Sequence, residues 1–283
     1  MSHPDRLDYD TLRVECQGIR ASILRMAHAG RTPHVASALS CADLLGVLYF
    51  SVLKVDPEFP GDPGRDRFLL SKGHACMAQY AALAAKGFFP AALLKEYATD
   101  GGRLAEHPGP GCVPGIEAAT GSLGHGLSLG AGLALAGRLR GAGNRVFVLL
   151  SDGECNEGSV WEAAIFAHRY ALDNLVAIVD YNKWSAMDRT EAVLEPFAEK
   201  WKAFGWATSE IDGHDLPAIR SALSAAPFEA GRPTAIVAHT VKGKGVGFME
   251  NNLEWHYRPP REDDLRLALA EIEETIPEAC LQV

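Results

Sequence analysis

No stretch of this chain is long and apolar enough to cross a bilayer, so no membrane-spanning helix is expected. The first residues, Met1-Ser2-His3-Pro4-Asp5-Arg6, are polar and lack the apolar core of a secretory leader. Positive charge is in the minority: Lys and Arg number 27 against 36 Asp and Glu, a net charge of −9. That balance argues against a nucleic-acid-binding surface and gives no basis for membrane attachment. The six cysteines (Cys16, Cys41, Cys76, Cys112, Cys155 and Cys280) include no Cys-x-x-Cys pair. Their scatter fits reduced thiols in a cytoplasmic protein better than a disulfide framework or a zinc site. Nothing near Cys155 marks it as a nucleophile, and it reads as a small passive residue. There is no internal repeat, and no interdomain linker. No Gly-x-Gly-x-x-Gly opens a helix after the first strand, which disfavours a dinucleotide-binding protein; Gly243-x-Gly245-x-Gly247 comes late and enters no obvious helix.

What is present is a large apolar share, 47% of 283 residues, enough for a sizeable core. Residues 8–29 have helical spacing, with Leu12, Cys16, Ile19, Ile23 and Met26 on one face. Gly30 to Ser40 breaks that helix, and a strongly apolar one follows over about 41–53. Further helices are expected at 75–86, 127–140, 157–171, 195–204, 216–224 and 261–273. Short β-rich runs at 68–70, 145–150, 175–180, 207–211 and 232–239 alternate with them. Residues 101–122 are rich in glycine and proline. Alternation of this kind specifies an α/β fold, a largely parallel sheet flanked by helices, in one domain.

The organising stretch is Ser151-Asp152-Gly153-Glu154-Cys155-Asn156-Glu157-Gly158 together with Asp180-Tyr181-Asn182-Lys183. Each begins where a buried strand ends. The 30-residue separation of Asp152 from Asn182 is about what one strand–helix–strand crossover needs. Open α/β sheets bind ligands at such carboxyl ends. An acid and an amide oxygen held there suit a hard divalent cation that completes its shell with water and phosphate. Gly153 allows close backbone approach to a diphosphate.

These residues resemble the Gly-Asp-Gly…Asn signature of thiamine diphosphate enzymes, with Ser151 in place of the first glycine. Seven further segments, in order, extend the resemblance over about residues 10–260: Pro33-His34…Leu39-Ser40; Ser71-Lys72-Gly73-His74; Glu106-His107-Pro108; Thr120-Gly121-Ser122-Leu123-Gly124; Asp212-Gly213-His214-Asp215; Thr240-Val241-Lys242-Gly243-Lys244-Gly245; and Glu250-Asn251-Asn252-x-x-Trp255-His256. Residues 1–283 are thus similar to the pyrophosphate-binding, N-terminal half of transketolases, as it occurs in split two-subunit enzymes.

The resemblance implies a thiamine diphosphate-binding fold and transfer of a two-carbon ketol unit from a ketose or ketose-phosphate donor to an aldose. It implies Asp152, Asn182 and the Trp184 carbonyl as ligands of Mg²⁺, or of Ca²⁺ or Mn²⁺ in its place. His74 and Gly153 would meet the diphosphate; Gly121 and Leu123 would line the coenzyme. Asn182 would serve the cofactor as well as the metal. Glu157 would bridge to the catalytic glutamate of a partner chain. His34, His107 and His256 would face the donor's hydroxyls, where an imidazole suits proton transfer near neutral pH. His3, His28 and His168 read as surface residues, His125 as a neutral replacement of glutamine, and His214 as an organiser of its turn. Lys242 and Lys244 read either as phosphate contacts or as a solvated loop.

Two departures matter. The family's Gly-His-Pro-Gly reads Pro33-His34-Val35-Ala36, and its Trp-His-Gly reads Trp255-His256-Tyr257. Both add bulk beside expected substrate histidines, so a non-standard sugar is expected. No pyrimidine-binding domain follows residue 260. The expectation is therefore a chain inactive alone, joined in a two-plus-two assembly by a C-terminal subunit that supplies the activating glutamate. The alternatives are the α subunit of a 2-oxo-acid dehydrogenase, which would leave Ser71–His74 and Trp255-His256 unexplained, and a degenerate non-catalytic subunit.

Overall fold

The computed structural model describes residues 7–275. Five strands form one all-parallel sheet: β1 (Arg67–Leu70), β2 (Val146–Ser151), β3 (Leu175–Tyr181), β4 (Ala207–Asp212) and β5 (Thr234–His239). Their spatial order is β1-β2-β3-β5-β4. Parallel strands covered on both faces need continuous apolar runs, and β2 and β3 are buried at every position. Successive side chains alternate between two cores. Phe147, Leu149, Val176, Ile178 and Ile236 face one; Val146, Val148, Ala177, Val179 and Val237 face the other.

The first core is closed by α1 (Tyr9–Gly30), α2 (Val35–Leu39), α3 (Ala42–Val47), α4 (Cys76–Lys86), α9 (Leu216–Ala225) and α10 (Glu262–Glu274). The second is closed by α5 (Gly126–Leu139), α6 (Gly158–Arg169), α7 (Glu191–Leu194) and α8 (Phe197–Ala203). The Asp8 carboxylate caps α1 by accepting from the Asp10 and Thr11 N–H groups at 3.0 and 2.9 Å. All five apolar positions expected on its face are buried.

The structure differs from the sequence reading in short pieces. The expected break over 30–40 contains α2, whose small apolar residues Val35, Ala36 and Ala38 are fully buried. The expected helix at 41–53 is α3 followed by a wider π-helical turn over Leu48–Val52. A 3₁₀ segment at Ala91–Glu96 and the single turn α7 were not foreseen, since neither is long enough to show a period. No helix among the described residues is long and apolar enough to cross a membrane. Cys16, Cys41, Cys76, Cys112 and Cys155 are free; Cys280 and His3 lie outside the described residues.

Candidate active site

Four strand ends supply the site. β1 runs into Ser71–His74, β2 into Asp152, β3 into Asn182 and β5 into Thr240–Lys242. They open on a cavity of about 550 Å³ whose lining includes His34, His74, His107, Gly121, Leu123, Gly153, Asn182, Trp184 and His256. Nine of the eleven residues singled out in the sequence thus converge, from segments spread over more than 220 positions.

Glycine makes the convergence possible at two points. A Cβ on Gly73 would sit 2.6 Å from the Gly121 nitrogen, and one on Gly121 would sit 2.5 Å from His107 Cδ2. Gly121 also has φ +140°, open only to glycine. The three segments carrying His74, Gly121 and His107 therefore stack in direct contact.

The imidazoles form a cluster. His34 lies 5.2 Å from His74 and 5.1 Å from His256, ring centre to ring centre. His34 occupies the left-handed region (φ 69°), a costly conformation for a non-glycine residue. Its N–H donates to the His256 carbonyl at 2.8 Å, locking the two segments together. Burial, reinforced by His107, Lys242 and Lys72, pushes His34 down to about 4. Burial, with Lys242, His34 and Lys72, takes His256 to about 3. Burial likewise holds His74 well below the ordinary value. These three rings are neutral at physiological pH, each with one protonated and one unprotonated nitrogen.

Asp152 and Glu157 do not line the cavity. Asp152 is fully buried beneath it. Its carboxylate accepts from the Gly153 N–H (2.9 Å), the Lys183 N–H (2.7 Å) and the Thr190 hydroxyl (2.7 Å). Among the described residues no cation pairs with it, and burial pushes it up to about 6. Asn182 Oδ1 accepts the Trp184 N–H, at 3.1 Å, which leaves a lone pair. A carboxylate short of positive charge beside an amide oxygen with a lone pair to give suits a divalent cation. Glu157 is exposed at the start of α6, against Gly124.

Several supporting residues escaped the sequence reading. Lys72 and Asp180 form a fully buried ion pair. Asp180 also accepts from the Ser40 hydroxyl (2.6 Å) and from Thr240, and Lys72 donates to the Ser37 carbonyl at 2.9 Å. Buried Glu154 accepts from the Ser71 hydroxyl and, at 2.8 Å, from the Gly124 N–H, fixing the loop that carries Gly121 and Leu123. The available signals were an acid inside an aliphatic strand and a second acid beside Asp152. The His214 ring ties its turn to two other segments: its Nδ1 meets Asp43 at 2.8 Å while its Nε2 accepts from the Val241 N–H at 2.8 Å. Lys242 is buried, not solvated. His125 lies outside this cavity and lines a neighbouring one. Burial keeps the Cys155 thiol protonated. Of the two bulky departures, Val35 and Ala36 belong to the core, and only Tyr257 lines the cavity.

Residues 14–272 match the family described as transketolase, thiamine diphosphate binding domain. The chain belongs to that family. It is 38% identical over 272 residues to an apulose-4-phosphate transketolase subunit of Phocaeicola vulgatus, covering 95% of this chain and 96% of that one. It is 43% identical over 242 residues to a 6-deoxy-6-sulfo-D-fructose transketolase subunit of Clostridium sp., covering 85% and 88%. Among solved structures, transketolase from Leishmania mexicana superposes with a TM-score of 0.85 at 29% identity, over 95% of this chain but 42% of that one. Pichia stipitis transketolase in complex with a sedoheptulose phosphate gives 0.88 at 28% identity, over 93% and 41%. The chain thus spans less than half the length of these solved transketolases and nearly all of the Phocaeicola relative.

Proposed function

We propose that this chain is the pyrophosphate-binding subunit of a split transketolase that moves a two-carbon ketol unit between sugars in the cytoplasm. The observation that carries this reading is the convergence of nine signature positions on one cavity at the carboxyl ends of the strands. The names of the two full-length relatives, both transketolase subunits, support it. Free thiols agree with a reducing compartment.

Thiamine diphosphate, when bound, supplies the carbon nucleophile for the ketose carbonyl. Asp152, Asn182 and the Trp184 carbonyl would hold Mg²⁺, or Ca²⁺ or Mn²⁺ in its place, against its diphosphate. His74 and Gly153 would meet that diphosphate, and Gly121 and Leu123 the rest of the coenzyme. His34, His107 and His256 act on the donor's hydroxyls by hydrogen bonding and proton transfer, and burial keeps His34 and His256 neutral there. Exposed Glu157 reaches the activating glutamate of a pyrimidine-binding partner, in a two-plus-two assembly.

Tyr257 narrows the donor end. Its ring stands 4.6 Å from His256 and 6.0 Å from His34, where the family's glycine would leave space. The donor is then a sugar other than the ordinary pentose phosphates, in keeping with the unusual sugars named for the two relatives. The test is ketol transfer by the complex purified with its partner. Turnover of a ketose requiring both chains is expected. Xylulose 5-phosphate used at ordinary transketolase efficiency would overturn the substrate assignment, and turnover of pyruvate would favour a 2-oxo-acid dehydrogenase component.

A further inference from the structure

Two lysines are buried beside the site, and they are not equivalent. Lys72 is neutralised by Asp180. Lys242 is 1% exposed, and among the described residues no carboxylate pairs with it. Its Nζ lies 2.8 Å from His256 Nδ1. The backbone around it is fixed from three sides. The Val241 N–H donates to His214, the Gly243 N–H to the Ala36 carbonyl at 2.9 Å, and the Asn251 N–H to the Lys242 carbonyl at 2.9 Å. His214 is itself held by Asp43, which Arg20 grips through both oxygens at 2.9 and 2.6 Å. A chain of contacts from α1 and α3 therefore fixes the backbone that carries this ammonium, and the ammonium itself meets one ring nitrogen.

An ammonium has three donors and no acceptor. Nδ1 of His256 must then accept, and the proton of the neutral ring sits on Nε2. We infer that Lys242 is a positioning residue that fixes His256 as an Nε2–H hydrogen-bond donor to a substrate oxygen in the cavity, leaving the proton-accepting role to His34 and His107. The inference rests on the transketolase reading for the identity of the substrate, but the state of the ring does not.

Burial, with Lys72 nearby, lowers Lys242 to about 8, while Asp152 and Asp180 oppose the shift. His34, His74 and Tyr257 are the other titratable groups facing the ring, at 5.1, 6.3 and 4.6 Å between ring centres, and burial keeps His34 and His74 neutral throughout this range. Burial works against the Lys72 charge, but Asp180 outweighs it and raises the group, so Lys72 stays charged. Once Lys242 loses its proton it can accept as well as donate, and the constraint on the ring relaxes.

The experiment is long-range ¹H–¹⁵N correlation on the full chain labelled with ¹⁵N-histidine, with H256Q to assign the signals. The wild-type ring is expected as Nε2–H at neutral pH, changing to a tautomer mixture as pH rises through Lys242's titration near 8. K242R holds the Nε2–H form through the alkaline range, and K242M gives the mixture at every pH. In the assembled enzyme K242M lowers kcat on the order of 100-fold, with KM little changed, and K242R restores most of it. An Nδ1–H ring in the wild type at neutral pH overturns the inference, and so does a K242M ring with the wild-type pattern. An assembled enzyme without ketol transfer but with the Nε2–H ring overturns the transketolase reading and leaves the Lys242–His256 assignment standing.

Discussion

His34 and His256 carry a measurable consequence of their burial. Each is depressed in the folded chain, to about 4 and about 3, below the ordinary value of 6.5. Below that ordinary value the unfolded chain takes up protons that the folded chain refuses. Stability contributed by the neutral rings is therefore complete above about 6.5 and is lost as pH falls toward 4. The urea midpoint of the cofactor-free chain should drop between pH 7 and 5, and H34Q with H256Q should flatten that drop; an unchanged slope contradicts the assignment. The Lys72–Asp180 pair predicts a different kind of effect. K72M leaves a carboxylate buried with only neutral donors and should cost about 3–5 kcal/mol in urea unfolding, whereas K72M with D180L should recover most of it. D152N should abolish the rise in melting temperature that Mg²⁺ and thiamine diphosphate together give the complex, and chelation should do the same to the wild type. At this scale the sequence was legible wherever a residue type sits in a fixed motif, as with His74 or Asn182. It was mute on Lys72 with Asp180, because that contact joins positions 108 apart. Nor could it show that Lys242 points inward.

Elements were legible in proportion to their length and the number of their buried faces. α1 shows several turns of one apolar stripe, and β2 and β3 each hold five apolar residues in a row. α2 and α7 span a turn or so each and carry no period. α5 shows what an element conceals even when its existence is plain. Its glycines look alike in the sequence, yet a Cβ on Gly130 would strike Val148 Cγ2 at 2.4 Å, whereas one on Gly132 would meet nothing within 4 Å. G130A should therefore destabilise the chain by about 1–3 kcal/mol through overpacking against β2. G132A should stabilise it by up to about 1 kcal/mol, since alanine is the better helix former at an open position. Denaturant midpoints of the two variants decide this, and equal shifts in the same direction would contradict the packing described.

The whole molecule packs its α/β core from within and, on the proposed reading, carries half of an active site. Its cavity brings the histidines together with Asn182 and Trp184, whereas Asp152 is buried and Glu157 stands on an exposed surface. On the adjoining helices Leu129 and Leu133 of α5 and Ile165 and Phe166 of α6 are solvent-exposed. The eight ordered motifs made this half of the site readable. The other half was not, because on that reading the groups that complete the cavity belong to another chain. The most direct test is native mass spectrometry of this chain purified gently from its source with Mg²⁺ and thiamine diphosphate present. Two copies of this chain with two copies of a pyrimidine-binding partner, and cofactor bound, are expected. A lone chain or self-dimer that takes up no cofactor at saturating Mg²⁺ and thiamine diphosphate would contradict the split-transketolase assignment.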